Sequence, residues 1–253
     1  MPSDPYQDAV DRLTRIGPLR VWSLLVTVFG DLTPDGALEG PTLSAIMAEI
    51  GVKPEATRVA LHRLRADGWI ISEKNGRTSR HRLSAKGRAD SDAARPRIYP
   101  TGVDVADVQF ALLPVGATPD PVRFARVAPQ LFVAPSGTTL PGNALLLRAD
   151  TLPDWLETTA ETDELQRGYA ALHDALTACD LPETDALGPL RVAVLRVLIV
   201  HAWRRLVLKH PALPRVLFSE HWRGHDCARL VATLLEHLPR PALNDLSSTA
   251  SPA

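Results

Sequence analysis

The sequence predicts an α+β protein, and three observations carry that expectation. Helix-forming segments bordered by Gly and Pro occupy the chain up to Gly68; two β-prone runs joined through Asn75-Gly76 follow; short apolar strands in a Pro-rich middle then give way to long apolar helices after Thr162. With 253 residues, 45% apolar composition and a formal charge of −1, the chain can bury more than one core and is not disordered. Cys179 and Cys227 make no disulfide framework, and the acidic start has neither the basic nor the apolar segment of a secretion signal, so a cytoplasmic protein is expected. Val21–Phe29 is shorter than the roughly 20 residues of a membrane span, and no membrane association is expected.

After Gly17-Pro18, Leu19–Asp31 reads as a helix apolar around most of its circumference, the pattern of a core element. The loop Thr33-Pro34-Asp35-Gly36 precedes a second helix opening at Pro41-Thr42, with Leu43, Ile46, Met47 and Ile50 at helical spacing. Gly51 ends it and Pro54 starts the next, where its missing N–H costs nothing; that helix runs to Asp67 and closes on Gly68. Two helices across a short Gly turn form a helix-turn-helix pattern. At 100° per residue, Ala56, Val59, Ala60 and Leu64 share an expected buried arc, and Glu55, Arg58, His62 and Arg65 lie opposite. Arg58, His62 and Arg65 are suited to base edges or phosphates, and Thr57 near the helix start to the DNA backbone. Arg63 leans toward the apolar arc and is expected to pair within the protein.

Trp69–Glu73 and Thr78–Leu83 read as strands, and Lys74-Asn75-Gly76-Arg77 as their turn, since Asn-Gly tolerates the positive φ that hairpins require. Thr78, Arg80 and Arg82 share one strand face, with Lys74, Asn75 and Arg77 at the tip. Helix, turn, helix and basic hairpin together predict a winged helix-turn-helix, its second helix in the major groove and its wing beside it.

Charge supports that assignment. Between Lys53 and Arg97 twelve basic residues face five acids, a local charge of +7, whereas residues 1–52 and 98–253 each carry −4. The near-neutral total is a cancellation, and the basic field lies on the second helix and the hairpin.

These residues resemble the PaaX-type transcriptional repressors of phenylacetate degradation. The resemblance rests on Leu24–Asp31, Ala56–Leu64 with Asp67-Gly68-Trp69, Gly76-Arg77 with Arg82–Arg88, Arg97-Ile98-Tyr99, His201–Arg205 with Pro211–Pro214, and Trp222–His225. It implies a cytoplasmic homodimer on a palindromic operator of double-stranded DNA. It also implies a winged helix-turn-helix over residues 1–97, a central ferredoxin-like (Cas2-like) dimerisation domain over 98–160 and a helical domain over 161–253. The implied effector is an acyl-CoA, usually phenylacetyl-CoA, which releases the protein from DNA. The sequence departs from the family pattern after Tyr99, where Pro100–Asp104 replaces a Trp-rich start.

Eight prolines lie between Pro96 and Pro141. Val108–Leu113, Gln130–Val133 and Ala144–Leu147 read as strands and Val122–Val127 as a short helix, which agrees with a ferredoxin-like half-sandwich. The first strand ends in Leu113-Pro114 without the carboxylate a metal nuclease needs there. Helices are expected over Asp163–Cys179, Pro189–Lys209 and Asp226–Leu238. His201, Trp203, Arg204 and Arg205 could hold the phosphates and acyl group of a CoA thioester, or equally form structural ion pairs to Asp163-Glu164. His221, His225 and Cys227 lack zinc spacing, so no metal is expected, and neither a cofactor nor catalytic residues. The rival class is a hydrolase or nucleotide-processing enzyme with an accessory winged helix, but there is no Gly-x-Ser-x-Gly and no phosphate-binding Gly-rich loop. A further alternative is an architectural DNA-binding protein that needs no effector.

Overall fold

A computed structural model describes residues 4–76, 78–99, 107–156, 161–179, 181 and 184–249. Helices and two small antiparallel sheets make up a mixed α+β chain that divides into two units interleaved in sequence. Met1–Arg95, Asp174–Ala202 and Leu230–Ala253 form the first; Pro96–His173 and Trp203–Arg229 form the second. The C-terminal helices contribute to both.

In the first unit, helix α1 (Pro5–Arg15) starts at Asp4, whose carboxylate accepts from the Tyr6 amide at 3.1 Å, and Pro5 fills the first turn. Tyr6, Ala9, Val10 and Leu13 give it one buried face. Helix α2 (Val21–Leu32) buries Leu24, Leu25, Val28 and Phe29 completely, as its all-round apolar pattern requires. Strand β1 (Ala37–Glu39) leads into α3 (Gly40–Glu49), and α4 (Pro54–Ala66) follows after Gly51 at φ 85°. Strands β2 (Ile70–Asn75) and β3 (Thr78–Leu83) form the hairpin, and β3 lies between β1 and β2.

Asn75 pairs with Thr78, so the connection is Gly76 and residue 77, one residue beyond the expected Asn75-Gly76 turn. Gly76, at φ 60°, supplies a positive φ of the kind that two-residue hairpin loops require. Asn75 ends the ladder in extended backbone instead.

Helix α5 (Ala85–Ile98) has no apolar stripe and was not expected from periodicity. It is anchored at its start: the Gly87 amide donates to Ser84 Oγ at 3.0 Å, and that hydroxyl donates to the Gly68 carbonyl. A Cβ on Gly87 would stand 2.2 Å from the Trp69 carbonyl oxygen, so only glycine lets the helix approach β2 this closely.

Helix α7 (Thr184–Val207) kinks at Gly188, φ 74°, and continues from Pro189, where a helix start was expected. Val192 to Val200 lie buried, which includes the charged Arg196. Arg196 grips Asp31 of α2 with two hydrogen bonds, 2.8 and 3.1 Å, and donates to the Leu238 and Leu235 carbonyls at 2.8 and 3.3 Å. These carbonyls end α8 (Gly224–His237), so one guanidinium ties three helices. The segment Ala186–Val207 is long and apolar enough to cross a membrane, but most of it is buried in the protein, as in the core helix of a globular unit. Helix α9 (Leu243–Thr249) closes on α3.

The second unit holds a four-stranded sheet, β4 (Val108–Leu112), β5 (Ala125–Arg126), β6 (Leu131–Pro135) and β7 (Leu145–Leu147), in the order β5-β6-β4-β7. Ala111, Leu113, Phe124, Phe132 and Ala134 form its core. The helix expected over Val122–Val127 is not formed. The Asp120 carboxylate accepts from the Val122 amide at 2.9 Å, its carbonyl accepts from Phe124, and Ala125-Arg126 then pair with Val133-Phe132. Six residues are too few to recover the cost of helix nucleation, and a side-chain-capped turn with a strand partner wins.

Helix α6 (Asp163–Thr177) packs Tyr169 among Trp203, His210 and Trp222. Cys227 is buried with its Sγ 3.4 Å from the Tyr169 carbonyl, His225 lies edge-on to Phe218, and His221 is exposed beside Glu220.

Candidate nucleic-acid interface

Helix α4 is seated by Thr57, Ala60 and Leu64. Thr57 is the first departure from the expected arcs: it is 5% exposed, and its hydroxyl donates to the Lys53 carbonyl one turn back at 3.4 Å. Thr57 therefore faces the protein rather than a DNA backbone. Val59 is the second, because it stands 70% exposed instead of joining the buried arc. With Thr57 turned inward, the outward stripe is Glu55, Arg58, Val59 and His62, four positions at i, i+3, i+4 and i+7.

Arg58 is held by Glu55 at 2.8 Å, both side chains being solvent-facing, and His62 and Arg65 are exposed along the same helix. Arg63 bends back as expected, 3.7 Å from Asp67 and 5.9 Å over the Trp22 ring. A cleft of about 660 Å³ opens between α3, α4 and β3, with Arg58, His62 and Arg65 along one wall and Ser44, Ser79 and His81 among its other lining residues.

On the hairpin, His81 and Leu83 point inward while Thr78, Arg80 and Arg82 point outward, the alternation a half-buried strand dictates. Arg82 meets Glu73 at 2.9 Å, and Arg80 and Thr78 both reach Glu39 on β1, at 3.5 and 3.3 Å. Glu39 and its short strand carried no sequence signal, since three residues show no period. Lys74 is exposed near the tip. Asn75 lies in β2, and Arg77 falls outside the described residues. Burial and the nearby Arg65 guanidinium hold the His81 imidazole below its ordinary pKa, against an opposing pull from Glu39. Its Nδ1 lies 2.7 Å from Ser72 Oγ, so His81 braces the hairpin as a neutral side chain.

The four residues considered for an effector are not one exposed face. His201 is 2% exposed, with Nδ1 3.2 Å from Thr27 Oγ1 inside the first unit. Trp203 belongs to the second unit, where it is buried and donates Nε1–H to the Ile98 carbonyl at 3.0 Å. Arg204 and Arg205 are half-buried, and burial pulls the Arg204 pKa down. The ion pair to Glu164 is made by Lys209, at 2.7 Å.

The PaaX-like protein family matches residues 20–87, and the PaaX-like protein C-terminal domain matches residues 161–247. The transcriptional repressor PaaX of Escherichia coli is 27% identical over 89% of this chain and 83% of its own. An uncharacterised protein of Mycobacterium tuberculosis shares the fold at a TM-score of 0.55 and 19% identity, covering 90% of this chain and 98% of the other. The matched stretches hold α2, α3, α4 and the hairpin at one end and α6 to α8 at the other, and the chain belongs to the PaaX-like protein family.

Proposed function

We propose that this protein is a DNA-binding transcriptional repressor without catalytic activity, acting in the cytoplasm. In this reading α3 and α4 form a helix-turn-helix with α4 as recognition helix, and β2 and β3 form its wing. The carrying observation is that Arg58 and Arg65 on α4 and Lys74, Arg80 and Arg82 on the hairpin, five of the twelve basic residues behind the local +7 charge, all stand exposed, with His62 exposed beside them. The repressor named among its relatives supports the regulatory role. Genes of phenylacetate-type aromatic catabolism are the targets the family resemblance implies.

One recognition helix and one wing read few bases, so a homodimer on a palindromic operator belongs to the same proposal. The edge strand β7, with Leu145 58%, Leu146 43% and Leu147 37% exposed, supports the central sheet as the dimerising part, because an exposed apolar edge strand can pair with a second strand. The ferredoxin-like reading of this region rests on the family resemblance. Release by an acyl-CoA, phenylacetyl-CoA foremost, also rests on it, with Arg204 and Arg205 as the candidates to meet its phosphates.

A mobility-shift assay on the DNA upstream of the protein's own gene tests the function: a retarded, uncleaved duplex is expected, and phenylacetyl-CoA is expected to free it. Cleavage of that duplex, or no retardation at low salt, would sink the proposal. Lys74→Ala is expected to weaken all duplexes alike and to lower the slope of log affinity against log salt by about one. Wild-type affinity across the salt series would remove the wing assignment.

A further inference from the structure

Val59 has no structural task on α4. It is 70% exposed, and a β-branched side chain on a solvated helix face is less favourable than alanine and gains no packing in return. An isolated exposed apolar residue is common on protein surfaces, but this one is set within a polar stripe. Glu55 one turn before it, Arg58 beside it, and His62 and Arg63 after it all carry charge or hydrogen-bonding groups. Arg58 pairs with Glu55, one turn before the valine, at 2.8 Å.

Residues in the first turns of a recognition helix are those that reach base edges. The major-groove edge of a base pair offers hydrogen-bond donors and acceptors and a single apolar group, the thymine C5-methyl. A hydrogen-bonding group opposite that methyl would lose water without a partner, whereas an isopropyl group gains by burying it.

We propose that Val59 is a specificity-determining residue that packs on a thymine C5-methyl, beside the base reached by Arg58. The inference rests on the DNA-binding reading, and the experiment separates the two. The full-length protein selects from a duplex library with a randomised core, as wild type, Val59→Ala, Val59→Ile and Arg58→Ala. Wild type and Val59→Ile are expected to enrich a motif with a fixed thymine. Val59→Ala is expected to lose the preference at that column alone, and Arg58→Ala to lose a different one. In the selected duplex, replacing that thymine by deoxyuridine removes only the methyl; wild-type binding is expected to weaken about fourfold, the worth of one buried methyl group, and Val59→Ala binding to be unchanged.

A Val59→Ala motif identical to that of wild type, or wild-type indifference to deoxyuridine at every thymine of the motif, overturns the role of Val59 while DNA binding stands. A wild type that enriches no motif overturns sequence-specific recognition, and the inference with it.

Discussion

Replacing Arg196 by Met is expected to cost about 3–5 kcal/mol, the range for removing one partner of a buried ion pair and a large share of an ordinary domain's stability. Asp31 is fully enclosed, with its side chain 0% exposed against 8% for Arg196. Arg240 also approaches Asp31, at 3.9 Å, too far for a hydrogen bond. The Leu235 and Leu238 carbonyls at the end of α8 lose their donor at the same time. The urea midpoint of the variant is expected to fall with an unchanged slope. The double variant Asp31→Leu with Arg196→Met is expected to regain much of the loss, because no charge then remains buried; a double variant as unstable as the sum of the singles would refute the coupling. The pair thus contributes the joining of α2, α7 and α8, more than net energy.

How much of this was legible in the sequence differs by element. Helices α2, α3, α4 and the start of α7 at Pro189 announced themselves through apolar spacing and Gly or Pro punctuation. The first helix carried equal signals in the Asp4 cap and the Tyr6, Ala9, Val10, Leu13 spacing, but the charge and loop residues around it mask them to a reading by apolar runs. By contrast α5 has no apolar face to read; contacts distant in sequence create it, Gly87 under the Trp69 carbonyl and Arg88 on the Pro34 carbonyl and Asp35. The hairpin was legible and its turn was off by one residue, because the ladder extends to Asn75 and leaves the positive φ to Gly76.

The exposed charges of the candidate interface were legible in the sequence, and the exact face of α4 was not. Polarity puts Thr57 outside and Val59 inside, yet Thr57 satisfies its hydroxyl on the Lys53 carbonyl and buries its methyl, which turns Val59 to solvent. His201 and Trp203 misled for the opposite reason. Their residue types suit a ligand, and only tertiary partners, Thr27 and the Ile98 carbonyl, show that His201 Nδ1 and Trp203 Nε1 are engaged inside the protein.

Stability of the second unit is expected to fall between pH 6.5 and 4, and His210 is the cause. Its Nδ1 lies 2.8 Å from the Pro211 carbonyl oxygen, which can only accept, so Nδ1 carries the proton and Nε2 accepts from the Tyr169 hydroxyl at 2.7 Å. A second proton on Nε2 would have to displace that bond inside an aromatic cage of Tyr169, Phe218 and Trp222. Burial, opposed by the Pro211 carbonyl and aided by Arg97 and His225, brings the imidazole pKa from 6.5 down to about 4. The unfolded chain therefore binds a proton more readily than the folded one between these values. The contribution is complete above pH 6.5, shrinks as the pH falls toward 4 and reaches on the order of 3 kcal/mol. The ring-proton resonances of His210 are expected to stay those of a neutral imidazole until the pH nears 4, and titration near 6.5 would refute the cage. The variant His210→Gln, which keeps an acceptor for Tyr169 and cannot titrate, is expected to lose less stability than wild type on going from pH 7 to pH 4, although it starts from a lower value.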